Sequence, residues 1–125
     1  MIAVDTSALI AILLNEPDAQ KYAEILESYR DVFISAASIV ELRLVMKGRK
    51  GSVSQQIVDN LIHKADLKII PVTEVHLDII TKAMLQYHPI LNYGDLFSYA
   101  LAKEKGLPLL FKGDDFAQTD IGSVL

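Results

Sequence analysis

The chain has 125 residues, 51% of them hydrophobic, a formal net charge of −4 and no cysteine. That length and apolar content suit one compact domain over residues 1–125 and leave no room for two. The acidic balance excludes a nonspecific DNA coater, though not a nuclease whose carboxylates are neutralised by metal. The lack of cysteine excludes a disulfide framework and a thiolate zinc site, and fits a reducing cytoplasm.

The first element is "IAV", Ile2–Val4, a short apolar run suited to a buried parallel strand. Asp5 interrupts it just before the apolar stretch from Ser7 to Leu14. An ionised side chain at that junction costs solvation unless a cation or a set of donors receives it. Ala8–Leu14 mimics a signal-peptide core, but Asp5 precedes it, the first cation is Lys21, and no small-residue cleavage site follows. No segment is long enough to span a bilayer. The mean hydropathy of +0.30 implies that a partner covers some apolar surface.

Pro17 and Asp18 open a helix with Ala19, Tyr22, Ala23, Leu26 and Tyr29 on one face. A second strand follows at Val32–Ile34. Ile57, Leu61 and Ala65 recur at helical spacing before a third strand, Leu67–Pro71. Thr73 then caps a helix whose inner face reads Leu77, Ile80, Met84 and Tyr87. The last helix runs from Asn92 to Lys105 and stops at Gly106, ahead of a final strand at Leu107–Phe111. Strands alternating with helices predict an α/β domain with a mostly parallel central sheet. Chemistry in such folds gathers at the carboxyl ends of the strands, where Asp5 lies.

Three further acidic positions share that placement. Glu41 lies in "SAASIVELRLVM", Asp95 in "LNYGDLFSYALA", and Asp114 and Asp115 close "LPLLFKGDDF". Each has an ordinary explanation too. Ser38 and Glu41 have the spacing of a capping box, Asp95 suits a first-turn dipole, and the Asp pair suits a turn after Gly113. Thr6 or Ser7 is available to cap the helix in place of Asp5. Brought to one sheet edge, these acids repel by roughly 1–4 kcal/mol per close pair. Mg²⁺ or Mn²⁺, which prefer hard oxygen ligands, would remove that repulsion and make Asp5 a metal ligand. Metal-assisted hydrolysis of a phosphodiester needs no Ser, Cys or His nucleophile, and none is evident. His63, His76 and His88 read as surface or partly buried structural residues. Arg43, Lys47, Arg49 and Lys50 read as a solvated helix end or as phosphate contacts.

The stretches "IAVDTSALIAILLNEPDA", "FISAASIVELRLV" and "NYGDLFSYALAKEKGLPLLFKGDDFAQTDI" together resemble the PIN-domain ribonucleases, specifically VapC-type toxins of toxin–antitoxin pairs. The resemblance implies a three-layer α/β/α sandwich and a metal-dependent endoribonuclease cutting tRNA or rRNA. It implies a cognate antitoxin and a homodimer as partners. Asp5, Glu41 and Asp95 match the first three acidic positions of the family, and Asp114 or Asp115 the fourth. Phe111-Lys112-Gly113 lacks the hydroxyl residue that many PIN domains carry before that acid; Thr6 or Ser7 is the available substitute, and Asp120 a more distant acid. The alternative is a non-catalytic metal-binding or signalling module of receiver-like α/β type, with Lys112 as its late lysine. It lacks the mid-chain strand-end Asp that a receiver needs, since Asp59 falls in a helical stretch.

Overall fold

Alternation along the strands decides the layering. The computed structural model describes all of residues 1–125. Strands β1 (Ile2–Val4), β2 (Val32–Ser35), β3 (Leu67–Ile70) and β4 (Leu109–Leu110) form one parallel sheet in the order β3-β2-β1-β4. Successive strand side chains point to opposite faces. Ile2, Val4, Val32, Ile34, Leu67 and Leu110 therefore enter one core, and Ala3, Leu109 and Phe111 the other.

Helices α1 (Thr6–Leu13), α2 (Ala19–Ser28), α3 (Ala36–Lys50) and α4 (Ser54–Lys64) fill the first core. Helices α5 (Glu74–Tyr87) and α6 (Tyr93–Lys105) fill the second. The result is the predicted α/β/α sandwich. No helix is long and apolar enough to cross a membrane.

All four apolar runs become strands, with two shortened: β3 ends at Ile70, before Pro71, and β4 keeps only Leu109–Leu110. Leu107 still donates its amide to Ala102 of α6, at 3.0 Å, and Pro108 has no amide, so the β4 ladder begins at Leu109. Gly106 takes the left-handed conformation at the end of α6, with φ 64°, as its position after Lys105 predicts.

Two helices turn a face inward that overlaps the one the periodicity suggests but is offset from it: Ile57, Leu61 and Ala65 of α4 and Ile80 and Tyr87 of α5 still pack against the cores. In α4 the fully buried residue is Val58, while Ile57 and Leu61 are only partly covered. In α5 the inner face carries His76, Ala83 and Tyr87, and Leu77 and Met84 are 54% and 52% exposed. Of the histidines read as surface or partly buried structural residues, His76 is fully buried, and Glu104 of α6 receives its Nε2 at 2.8 Å. The inner face of α5 is thus offset by about one residue from the most apolar stripe.

The chain leaves β1 toward β2 and β3, then returns to place β4 on the other side of β1. Strand order therefore reverses between β1 and β4. In open parallel sheets the crevice beyond the carboxyl ends at such a point is where ligands bind.

Val58→Ala should cost about 2 kcal/mol of stability by transfer and cavity terms. Leu77→Ala should cost less than about 0.5 kcal/mol. Urea unfolding of the two variants measures the difference, and equal losses would contradict this orientation of α4 and α5.

Candidate active site

Asp5 sits at the reversal point and is fixed from several sides. Its amide donates to the Leu110 carbonyl of β4 at 2.9 Å. As N-cap of α1, its Oδ2 accepts the Ser7 amide at 3.0 Å, so Asp5 itself does the capping. Its Oδ1 accepts the Ser98 hydroxyl of α6 at 2.5 Å. Asp5 is only 4% exposed. No Lys, Arg or His pairs with it, nor with Glu41, Asp95, Asp114 or Asp115.

Glu41 reaches this edge from the second turn of α3. That helix starts earlier than the Ser38–Glu41 spacing suggests, because Ser35 is the N-cap and its Oγ accepts the Ala37 amide at 3.2 Å. The capping box with Ser38 does not form. Ser38 is instead buried, its hydroxyl 3.3 Å from that of Ser98. The Glu41 carboxylate rests against the backbone of Gly94, where a Cβ would fall 2.0 Å from Oε2. Glycine precedes Asp95 because any side chain there would push Glu41 out.

Asp95 combines two tasks. Its Oδ2 accepts the Asn92 amide at 3.0 Å and its own amide donates to Asn92 Oδ1 at 2.9 Å, a complete capping box. It also belongs to a cluster of like charges. Its pKa is raised to about 6, by burial above all, against the Asn92 amide, which lowers it, and with the charges of Asp5, Asp115 and Glu41 contributing. Burial also raises the pKa of Glu41, opposed by a hydrogen bond from Thr6 and reinforced by the Asp5 charge.

Asp114 and Asp115 are both exposed in the turn after β4, and the charge of Asp115 is among those that raise the pKa of Asp95. Asp120 lies apart, bound by Lys103, Tyr99 and Tyr87, which hold its carboxyl below the usual range. The Thr6 hydroxyl lies 3.3 Å from the Ser38 carbonyl as well as within reach of Glu41. Ser7 Oγ accepts the Lys112 amide at 3.0 Å, tying α1 to the turn that carries the Asp pair.

The Lys112 ammonium is taken by Glu16 and Asp18, at 2.8 and 3.0 Å. It makes no bond to the acidic cluster, and Asp59 is an exposed helical residue, so the receiver-like alternative has neither of its key groups in place. In the basic run, Arg43 lies about 200° around α3 from Glu41 and pairs with Asp59 of α4 at 3.1 Å. Lys47, Arg49 and Lys50 are exposed in the last turns of α3, without ion-pair partners.

The donor set is all-carboxylate, partly buried and uncompensated, which matches a hard divalent cation. As they stand, no three of these side chains close around one point at ligand distance.

Comparison with known proteins settles the family. The PIN domain family profile matches residues 2–122. The VapC ribonuclease Mb0640 of Mycobacterium bovis is 40% identical over 131 residues, covering 98% of each chain. The chain belongs to the PIN-domain family. Among solved structures, VapC20 of Mycobacterium tuberculosis, a toxin that cleaves the sarcin-ricin loop, superposes with a TM-score of 0.79 at 21% identity. The superposition covers 99% of this chain and 98% of that one. VapBC2 of Rickettsia felis, bound to a promoter DNA fragment, gives 0.75 at 19% identity over 98% and 96%.

Two members of this PIN domain's site escape sequence reasoning, Ser38 and Ser98. Their signal is slight: Ser98 is a hydroxyl three residues beyond Asp95 in an otherwise apolar helix, and Ser38 was explained away as a cap.

Because the folded pKa of Asp95 is raised, the native state holds a proton that the unfolded chain has lost. Its contribution is full below about pH 4 and is lost as pH rises to about 6. Asp95→Asn should therefore stabilise the metal-free protein at pH 7 by about 1–2 kcal/mol and change little at pH 4. Denaturant unfolding at both pH values measures this; destabilisation at pH 7 would contradict the repulsion.

Proposed function

We propose that this PIN domain is a metal-dependent endoribonuclease toxin, with Asp5, Glu41, Asp95 and Asp115 holding Mg²⁺ or Mn²⁺. The carrying observation is the convergence of these acids, without a protein cation, at the reversal point of the sheet. The ribonuclease activity of relatives that match nearly the whole chain supports RNA as the substrate.

Bound there, the cation supplies neutralisation of the phosphodiester charge and acidification of water. The chain's own residues provide the rest. Asp5 is held by Ser7 and Ser98, Asp95 by Asn92, and Glu41 by its seat on Gly94, so the carboxylates need little reorganisation. Hydrolysis joins a water oxygen to phosphorus, breaks the bond to the 3′ oxygen, and leaves a 5′-phosphate and a 3′-hydroxyl. Lys47, Arg49 and Lys50 are free to meet flanking phosphates, whereas Arg43 must first release Asp59.

A cytoplasmic antitoxin-restrained toxin is the corresponding biological role. Val40, Leu44 and Tyr93, at 57%, 68% and 79% exposure, line a groove of about 370 Å³ that also includes Glu41. An apolar rim so close to the acids supports protein partners near the site, an antitoxin and a second copy among them.

The test is cleavage of a broad RNA pool by purified, antitoxin-free protein, with Mg²⁺ or Mn²⁺ and with EDTA. Cleavage should require the cation, and Asp5→Asn, which keeps the shape and removes the ligand charge, should lower it by about 10²-fold or more. Undiminished cleavage in EDTA or by the variant would overturn the proposal.

A further inference from the structure

Behind Asp5 lies a short chain of buried hydroxyls whose proton directions are determined. Ser98 and Ser38 are each 1% exposed. Ser98 Oγ is 2.5 Å from Asp5 Oδ1 and 3.3 Å from Ser38 Oγ. An ionised carboxylate only accepts, and a serine has one proton to give. Ser98 therefore donates to Asp5, and the contact between the serines runs from Ser38 to Ser98. The three residues come from β1's end, α3 and α6, so the chain joins the elements that carry Asp5, Glu41 and Asp95.

The two donors on Asp5 do different work. The Ser7 amide is local and serves the helix cap. Ser98 arrives from 93 residues away and holds the other oxygen. Together they fix the plane of the carboxylate, and each oxygen keeps a further acceptor position. No buried side-chain polar atom of the chain lacks a partner, so removing Ser98 would leave both Asp5 Oδ1 and Ser38 short of one.

We infer that Ser98, backed by Ser38, is a positioning residue that presets the Asp5 carboxylate to receive a divalent cation. This rests on the cation reading of the site. It assigns Ser98 no contact with RNA or with the reacting atoms.

The experiment is Mn²⁺ binding to the RNA-free protein, followed by electron paramagnetic resonance of the free ion, with circular dichroism to check folding. Wild type should bind, Asp5→Asn should not, and Ser98→Ala should bind roughly tenfold more weakly while still folded. Ser98→Thr, which restores the donor, should return to within about threefold of wild type. A purely structural serine would lower the melting temperature in Ser98→Ala and leave the Mn²⁺ affinity of the folded protein unchanged. That result would overturn the inference and leave the cation reading standing. Absence of Mn²⁺ binding by wild type would overturn both. If Ser98→Ala does not fold, Ser38→Ala carries the test: it keeps the bond to Asp5 and should weaken Mn²⁺ binding roughly two- to threefold. Wild-type affinity in that variant would contradict the chain of hydroxyls.

Discussion

The buried carboxylate of Asp5 governs the architecture around it. Its oxygens are occupied by an amide and a hydroxyl, so the carboxylate is held by dipoles and not by a protein cation. Burial disfavours the ionisation of Glu41 and Asp95, and the Asp5 charge adds to that. A fold that needed only a helix cap at this position would be served by Ser or Thr at no electrostatic cost. The cost is borne instead at a place where a divalent cation would turn it into binding energy.

Each surrounding feature makes the cluster possible without neutralising it. Parallel strand order puts the ends of β1 and β4 side by side, and the bond from Asp5 to Leu110 locks them together. Gly94 lets α3 deliver Glu41 against the start of α6. Asn92 holds Asp95 through its amide rather than through a cation. Lys112, next to the turn that carries the Asp pair, is engaged by Glu16 and Asp18, and Lys103 of α6 by Asp120. The folded chain accordingly carries an electrostatic cost at neutral pH in this cluster.

Much of this was legible in the residues. Four short apolar runs gave the strands, because a parallel strand buried on both faces must be apolar throughout. Asp5, Glu41 and Asp95 stood out as charges inside apolar stretches. What pattern alone could not show was orientation and partnership. Leu77 and Met84 looked like core positions, yet the bond from buried His76 to Glu104 goes with an inner face of α5 that leaves them exposed. Ser38 fitted a capping box, but Ser35 already begins α3, and a hydroxyl three residues along meets α6 instead. Asp114 and Asp115 are indistinguishable by type and neighbourhood. Only the fold brings the charge of Asp115 to bear on Asp95. Local propensity is written in neighbours along the chain, and contacts such as Asp5 with Ser98 span nearly its whole length.

The central claim is that these carboxylates form a cation site. Anomalous diffraction from a crystal grown with saturating Mn²⁺ at neutral pH tests it most directly. The account predicts an anomalous peak bounded by Asp5, Glu41, Asp95 and Asp115, with carboxylate oxygens at about 2.1 Å from it. A crystal with ordered carboxylates and no peak among them, or with the ion only at other surface acids, would contradict it.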